Sequence, residues 1–116
     1  MHKLKSIFEL IDRKEDLNSD WELTSQNQIV EIVKETQELK TVLNSSSKKV
    51  VSDEAGDIVW DCCNLLWALE KEGKIESVQS LLTQMYHKYE ERVEGLENGR
   101  TWTEVKTIQK ERLNRD

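Results

Sequence analysis

Two pairs of acidic residues are the part of this sequence best suited to chemistry. Glu35 and Glu38 are three residues apart, and Glu54 and Asp57 repeat that spacing. Residues three apart share one face of a helix, so each pair points in one direction. Four carboxylates brought together repel one another unless cations neutralise them. Ligation by carboxylates alone selects Mg²⁺, Mn²⁺ or Ca²⁺ rather than zinc or copper.

Both pairs belong to longer polar strips. Glu31 extends the first pair, while Asp61 and Asn64 extend the second along a segment that is otherwise apolar around most of its helical circumference. A helix that is apolar nearly all round is normally buried, so its polar strip has to face something specific. Two interpretations remain open for each strip, because it is either a solvated face or part of a ligand site.

The spacing of the apolar residues predicts the helices that carry these groups. A first helix covers Lys3 to about Lys14, and residues 16–20 form a connector. The second helix begins at a capping box made by Ser25 and Gln28, and it ends at the serine-rich residues 44–47. We expect its apolar stripe to face the core; the stripe consists of Ile29, Ile32, Val33, Leu39 and Leu43.

Three more helices follow. The third runs from about Ser52 to Glu72 and stops at Gly73, and the fourth runs from near Ile75 to near Gly95. A second capping box, Thr101 with Glu104, opens a short C-terminal helix. If the second and third helices pack antiparallel across the serine-rich loop, the four carboxylates converge.

Composition excludes several classes of protein. The chain has 116 residues, no proline and four glycines, which argues against all-β and doubly wound α/β folds and favours one all-helical domain over residues 1–116. The net charge of −6 argues against a nucleic-acid-binding protein. No apolar run approaches the roughly 20 residues of a membrane span.

The sequence also predicts where the protein works and in what assembly. Its N-terminus does not read as a signal peptide, and the adjacent Cys62 and Cys63 fit a reducing cytoplasm. Trp60 and Trp67 lie on one side of the third helix. Either a homodimer or homotetramer covers that side, or the first and fourth helices cover it within a monomer.

The segment Glu35-Thr-Gln-Glu38, a spacer of 15 residues and Glu54-Ala-Gly-Asp57 together resemble the paired ExxE and ExxD motifs of MazG-type nucleoside triphosphate pyrophosphohydrolases. The resemblance covers about residues 20–110. It implies a four-helix-bundle-like fold with extra short terminal helices, assembled as a homo-oligomer. It also implies that the four acidic residues of these motifs bind Mg²⁺, for which Mn²⁺ can substitute.

Further residues match the family downstream. Lys88 and Arg92 are similar to its phosphate-binding Lys and Arg, and Trp102 and Lys106 resemble residues near its nucleotide. As alternatives, Lys88 and Arg92 pair with Glu91 or Glu94 on a solvated face, and Trp102 anchors a core. Asp61 is a candidate further ligand, and Asn64 is a candidate for contacting the base or sugar.

One position departs from the family pattern. Lys34 stands where many relatives have a glutamate that is a candidate for orienting the attacking water. The general base therefore stays open between Glu35, Glu38, Glu31 and a metal-bound hydroxide.

The implied activity is hydrolysis of nucleoside triphosphates, with deoxynucleoside triphosphates as the expected substrates, for sanitation or control of nucleotide pools. Water attacks the α-phosphate and releases pyrophosphate. The chain has no phosphate-binding G-x-x-x-x-G-K-[ST] loop and no Cys–His or Ser–His arrangement to suggest another route. Two alternatives remain: a narrower-substrate relative, such as a dUTPase or phosphoribosyl-ATP pyrophosphohydrolase, and a non-catalytic helical adaptor.

Overall fold

The computed structural model describes residues 2–17 and 21–115, and within them it contains five helices and no strand. The helices are α1 (His2–Glu15), α2 (Ser25–Val42), α3 (Lys48–Lys71), α4 (Val78–Glu97) and α5 (Trp102–Arg115). The all-helical prediction is thus confirmed; residues 18–20 of the expected connector lie outside the described part. None of the described helices is long and apolar enough to cross a bilayer.

The chain divides into two compact units, Met1–Ile75 with α1 to α3 and Glu76–Asp116 with α4 and α5. The single domain expected from the chain length stays a prediction.

In the first unit, α2 and α3 pack antiparallel, as expected. The start of α2 contacts the end of α3, where the Ser25 backbone N–H donates to Glu72 Oε2 at 2.7 Å. α1 also packs on α3, where Trp67 Nε1 donates to Asp12 Oδ1 at 2.7 Å. α1 therefore covers part of the tryptophan side of α3, where Trp60 and Trp67 are half-buried, and the homo-oligomer stays a prediction.

The apolar stripe of α2 was expected to face the core, and this prediction is wrong for most of its residues. Ile29, Val33 and Leu43 are each more than half exposed, whereas the buried residues of α2 are Ser25 and Gln28. The physical reason is that α2 turns polar and acidic side chains toward α3. The apolar core of this unit comes instead from α1 and α3, with Ile11, Cys63 and Ala68 buried.

Three helices begin at hydroxyl N-caps other than the starts predicted from the sequence. Thr24, not Ser25, caps α2 by accepting from the Asn27 backbone N–H, at 3.0 Å. Ser47 caps α3, which therefore begins at Lys48 rather than near Ser52. Ser77 caps α4, so α4 begins at Val78 and not near Ile75.

The helix ends depend on glycine where φ is positive. Gly73 (φ +71°) ends α3 as predicted, and Gly99 (φ +86°) follows the end of α4. Gly95 does not end α4. It lies inside the helix against Val105 of α5, whose Cγ2 would be 2.5 Å from a Cβ added at position 95.

The capping box at the start of α5 is confirmed. Thr101 Oγ1 accepts from the Glu104 N–H at 3.1 Å, and the Glu104 carboxylate accepts from the Thr101 N–H at 3.3 Å. Both orphan donors at this helix start are thereby satisfied.

Candidate metal centre

Three carboxylates meet between α2 and α3. Glu35 and Glu38 come from α2 and Glu54 comes from α3, and one oxygen of each lies within 4.8 Å of the others. Helical spacing places the first two on one face, and the antiparallel packing of α2 and α3 brings the third opposite them. Two of the three side chains, those of Glu35 and Glu54, are half-buried.

Several oxygens of this region are buried without a partner. Glu35 Oε2, Glu54 Oε2 and Asp61 Oδ2 have no hydrogen-bond partner among the described residues. Buried acceptors of this kind cost free energy unless a donor or a cation satisfies them. The arrangement is therefore one that a cation would stabilise.

The electrostatics agree with that view. Burial, followed by the adjacent Glu38 and the charges of Asp61 and Asp57, raises the pKa of Glu35 from 4.5 to about 7. Burial, followed by the charge of Glu38, also raises the pKa of Glu54. Without a cation, this site therefore favours a protonated carboxyl group at neutral pH.

Glu35, Glu38 and Glu54 form what we call the acidic triple, and Asp57 and Asp61 lie at its margin. Asp57 is exposed and is not one of the three grouped carboxylates, but its charge raises the pKa values of Glu35, Glu54 and Asp61. Burial is the largest cause of the raised pKa of Asp61, which the Gln28 side chain partly opposes.

The residues present fit a hard divalent cation. Only carboxylate oxygens converge here, and among the described residues no other group of three His, Cys, Asp or Glu side chains comes together in this way. Oxygen-only ligation suits Mg²⁺ or Mn²⁺. The three grouped carboxylates would hold the ion, with Asp57 beside them.

Asn64 is committed to contacts within the protein. It is 1% exposed, its Oδ1 accepts from the Lys14 ammonium, and its Nδ2 donates to the Trp60 carbonyl at 2.8 Å. Lys14 also lies over the Trp60 ring, 5.3 Å from the centroid. The sequence offered no local signal for Lys14, which reaches this site from α1, 50 residues away.

In the second unit, Arg92 is buried and held in place. Its Nε donates to Gln109 Oε1 at 2.8 Å, and its guanidinium lies 4.9 Å from the Tyr89 ring centroid and 5.1 Å from that of Trp102. Such stacking of a cation on aromatic faces is favourable. Lys88 is exposed, with its ammonium 5.4 Å from the Tyr89 ring.

Glu91, one of the two alternative partners considered for these cations, is engaged elsewhere. Glu91 accepts from Gln109 at 2.8 Å and from Arg112 at 3.3 Å, and the bond from Gln109 is the main cause of its lowered pKa. Lys88 and Arg92 form no ion pair within the described residues.

Four basic side chains line a cavity of about 490 Å³ between α4 and α5. Lys88 and Arg92 line it together with Lys110 and Arg112. Sequence reasoning missed the latter two, although Lys110 lies one helical turn beyond Lys106. Lys106 itself is exposed and Trp102 is 39% exposed.

The family model for the MazG nucleotide pyrophosphohydrolase domain matches residues 23–96, more than half of the chain. The matched segment contains the acidic triple, together with Lys88 and Arg92, whereas Trp102 and Lys106 lie beyond it. Comparisons with curated proteins and with solved structures give no significant match.

Proposed function

The chain belongs to the MazG nucleotide pyrophosphohydrolase family, and from this premise we propose that it hydrolyses nucleoside triphosphates, preferably deoxynucleoside triphosphates, to monophosphate and pyrophosphate. The observation that carries the proposal is the grouping of Glu35, Glu38 and Glu54 inside the matched segment. The physiological role is sanitation or control of nucleotide pools in the cytoplasm.

The site needs a cation to accept such a substrate. A nucleoside triphosphate carries about four negative charges, which acidic side chains alone would repel. We propose that Mg²⁺, or Mn²⁺ in its place, binds to Glu35, Glu38 and Glu54, with Asp57 as a further ligand. When bound, the ion would neutralise charge and polarise the phosphate oxygens.

Hydrolysis also requires a residue that accepts a proton from the attacking water. Attack of water on the α-phosphorus forms one P–O bond, breaks the bond to pyrophosphate and releases one proton from the water. Glu35 and Glu38 are our candidates to accept it, with Glu31 one turn earlier. Lys34 is exposed on α2, and its ammonium cannot serve as a base while it is charged.

The basic residues of the second unit are proposed to hold the leaving pyrophosphate. Arg92 supports this role because its guanidinium is held against two rings and forms no ion pair among the described residues. Lys88 lines the same cavity. Trp102 and Lys106 are proposed to lie near the nucleotide, and Asp61 to act as a further ligand.

Product analysis tests the proposal directly. Purified protein would be mixed with ribo- and deoxynucleoside triphosphates and Mg²⁺, and the products followed by phosphorus NMR. We expect monophosphate and pyrophosphate, abolished by EDTA and by Glu38→Gln, but not by Glu97→Gln, which alters an exposed residue of α4.

Other outcomes would contradict the proposal. Diphosphate with orthophosphate would mean cleavage at the γ-phosphate. No turnover from a folded, metal-loaded protein would favour the adaptor alternative.

We also propose a homodimer or homotetramer. It is supported by apolar residues that α2 leaves exposed, with Ile29 at 51%, Val30 at 62% and Val33 at 56%. Light scattering coupled to gel filtration would give the mass of the assembly. Val30→Lys should shift it toward the monomer, whereas a monomeric wild-type protein would contradict the proposal.

A further inference from the structure

Arg92 combines deep burial with a charge that no acid compensates. It is 5% exposed, and among the residues that the structure describes no carboxylate lies within ion-pair distance of its guanidinium. Its hydrogen bond to the described part of the protein runs from Nε to Oε1 of Gln109. A buried cation is costly unless an anion pairs with it, so this charge is suited to an anionic ligand.

Gln109, on α5, contacts Arg92 through a neutral amide. Its Oε1 accepts from Arg92 Nε at 2.8 Å, while its Nε2 donates to Glu91 Oε1 at 2.8 Å and to the Lys88 carbonyl at 2.9 Å. Both ends of the amide are therefore used, one by a cation and the other by an acid. A carboxylate in place of this amide would neutralise Arg92.

Glu91 is the acid next to Arg92 in the sequence, and both of its oxygens are engaged. Its Oε1 accepts from Gln109, and its Oε2 accepts from Arg112 at 3.3 Å. The bond from Gln109 is the main cause of the lowered pKa of Glu91, so this carboxylate stays charged at neutral pH. Without the amide, a charged carboxylate and an uncompensated guanidinium would be left as neighbours, and they would attract each other.

Two aromatic rings hold the guanidinium of Arg92 in place. They are those of Tyr89, 4.9 Å from centroid to guanidinium carbon, and Trp102, at 5.1 Å. A guanidinium held against aromatic rings can still donate hydrogen bonds from its edge. Gln109 takes the Nε side of that edge, which leaves the Nη groups for a ligand in the cavity that Arg92 lines.

We propose that Gln109 is a positioning residue. Its amide holds Arg92 by a neutral hydrogen bond and keeps Glu91 away from it, so that the charge of Arg92 stays available to a phosphate group. The inference rests on the proposed role of Arg92 in holding pyrophosphate. Gln109 itself lies on α5, beyond residues 23–96 that the family model matches.

Binding of inorganic pyrophosphate to the full chain, measured by calorimetry in EDTA, tests the inference without turnover. EDTA keeps cations out of the acidic triple, which then repels the anion. Gln109→Met removes the amide at similar length, and we expect it to weaken binding about 10-fold, because pyrophosphate then has to displace Glu91 from Arg92. Gln79→Met makes the same change at an exposed position of α4 and should bind like the wild type.

Glu91→Gln separates this mechanism from a loss of structure. It removes the competing carboxylate, so it should restore most of the lost affinity in the Gln109→Met background and change affinity less when Gln109 is present. It cannot do so by stabilising the fold, because it also removes the ion pair between Glu91 and Arg112. Equal effects of Glu91→Gln in the two backgrounds would overturn the inference.

A measurement on the wild-type protein covers the case in which Gln109→Met does not fold. In nitrogen–proton correlation spectra, the Nε–H signal of Arg92 should stay protected from exchange with solvent when pyrophosphate binds, while its Nη signals shift. Loss of that protection on binding would show that the anion displaces Gln109, and it would overturn the inference.

The same experiments distinguish this inference from the proposed function. Pyrophosphate binding that Arg92→Met leaves unchanged would contradict both the proposed role of Arg92 and the inference. Triphosphate hydrolysis without coupling between Gln109 and Glu91 would overturn the inference alone. Coupling without any hydrolysis would support the inference and contradict the proposed function.

Discussion

Carboxylates at the two ends of the α2–α3 pair have opposite environments. Near the α2–α3 loop, burial and the neighbouring Glu38 raise the pKa of Glu35 to about 7. At the other end, hydrogen bonds from Ser25, followed by contacts with Lys74, lower the pKa of Glu72 to about 2. The same residue type on the same helix pair is thus satisfied by the protein at one end and left unsatisfied at the other.

The reason lies in the groups around each acid. Glu72 accepts from the Ser25 N–H and hydroxyl, both at 2.7 Å, and pairs with Lys74 at 2.9 Å, at the positive N-terminus of α2. Glu35 and Glu54 have acidic neighbours and buried oxygens without partners. The difference separates an acid that stabilises the fold from acids arranged for a ligand.

Replacing an acid of the triple gives the largest expected effect. Glu54→Gln should reduce the rate of triphosphate hydrolysis by at least about 100-fold, because it weakens cation binding at the site. The fold should survive, since the substitution removes charge from a carboxylate crowded by Glu38 and Asp57. Initial rates at the lowest Mg²⁺ concentration that saturates the wild-type protein and a melting curve check both points; a variant as active as the wild type would contradict the assignment.

A smaller effect is expected on the pH dependence of stability. The folded protein without cations holds a proton on Glu35 up to about pH 7, whereas the unfolded chain releases it near 4.5. Between these values the folded state binds more protons, so this group makes the free energy of unfolding fall as pH rises.

Mg²⁺ competes with that proton, so it should raise the melting temperature more at pH 8 than at pH 5. Melting curves with Mg²⁺ or EDTA at the two pH values measure this difference, and Glu35→Gln should reduce it. A larger effect of Mg²⁺ at pH 5 would show that Glu35 is not a ligand.

The smallest effect concerns Glu72. Its stabilising contribution is present above pH 4.5 and is lost as the pH falls toward 2, because the unfolded chain takes up the proton first. Glu72→Gln should therefore lower the melting temperature at pH 7. It should also reduce the fall in melting temperature between pH 4.5 and pH 2, without changing the rate of hydrolysis. Ser25→Ala should lower the melting temperature by less, because it removes the hydroxyl donor and keeps the backbone N–H donor to Glu72.

Local signals predicted the five helices and brought together three of the four acidic residues expected to converge. Gly73 and the Thr101–Glu104 box behave as expected, because each acts within one helical turn. The i,i+3 spacing of Glu35 and Glu38 also brought them to one face, with Glu54 opposite.

The prediction failed where the site overrides the usual pattern of burial. Periodicity placed Ile29 and Val33 in the core, but α2 turns Gln28 and Glu35 inward instead. Residues that reach a site from distant elements gave no signal at all, as Lys14 shows. Conflicts between local pattern and structure are expected at functional sites.

The contact between Gly95 and Val105 has a consequence for the order of folding. It joins α4 to α5 across ten residues of sequence, a loop that closes in about 10–100 ns in an unfolded chain. The hydrogen bond between Asp12 and Trp67, which docks α1 on α3, spans 55 residues. Because closure of longer loops costs more entropy, we expect the α4–α5 hairpin to form early and the docking of α1 to come later.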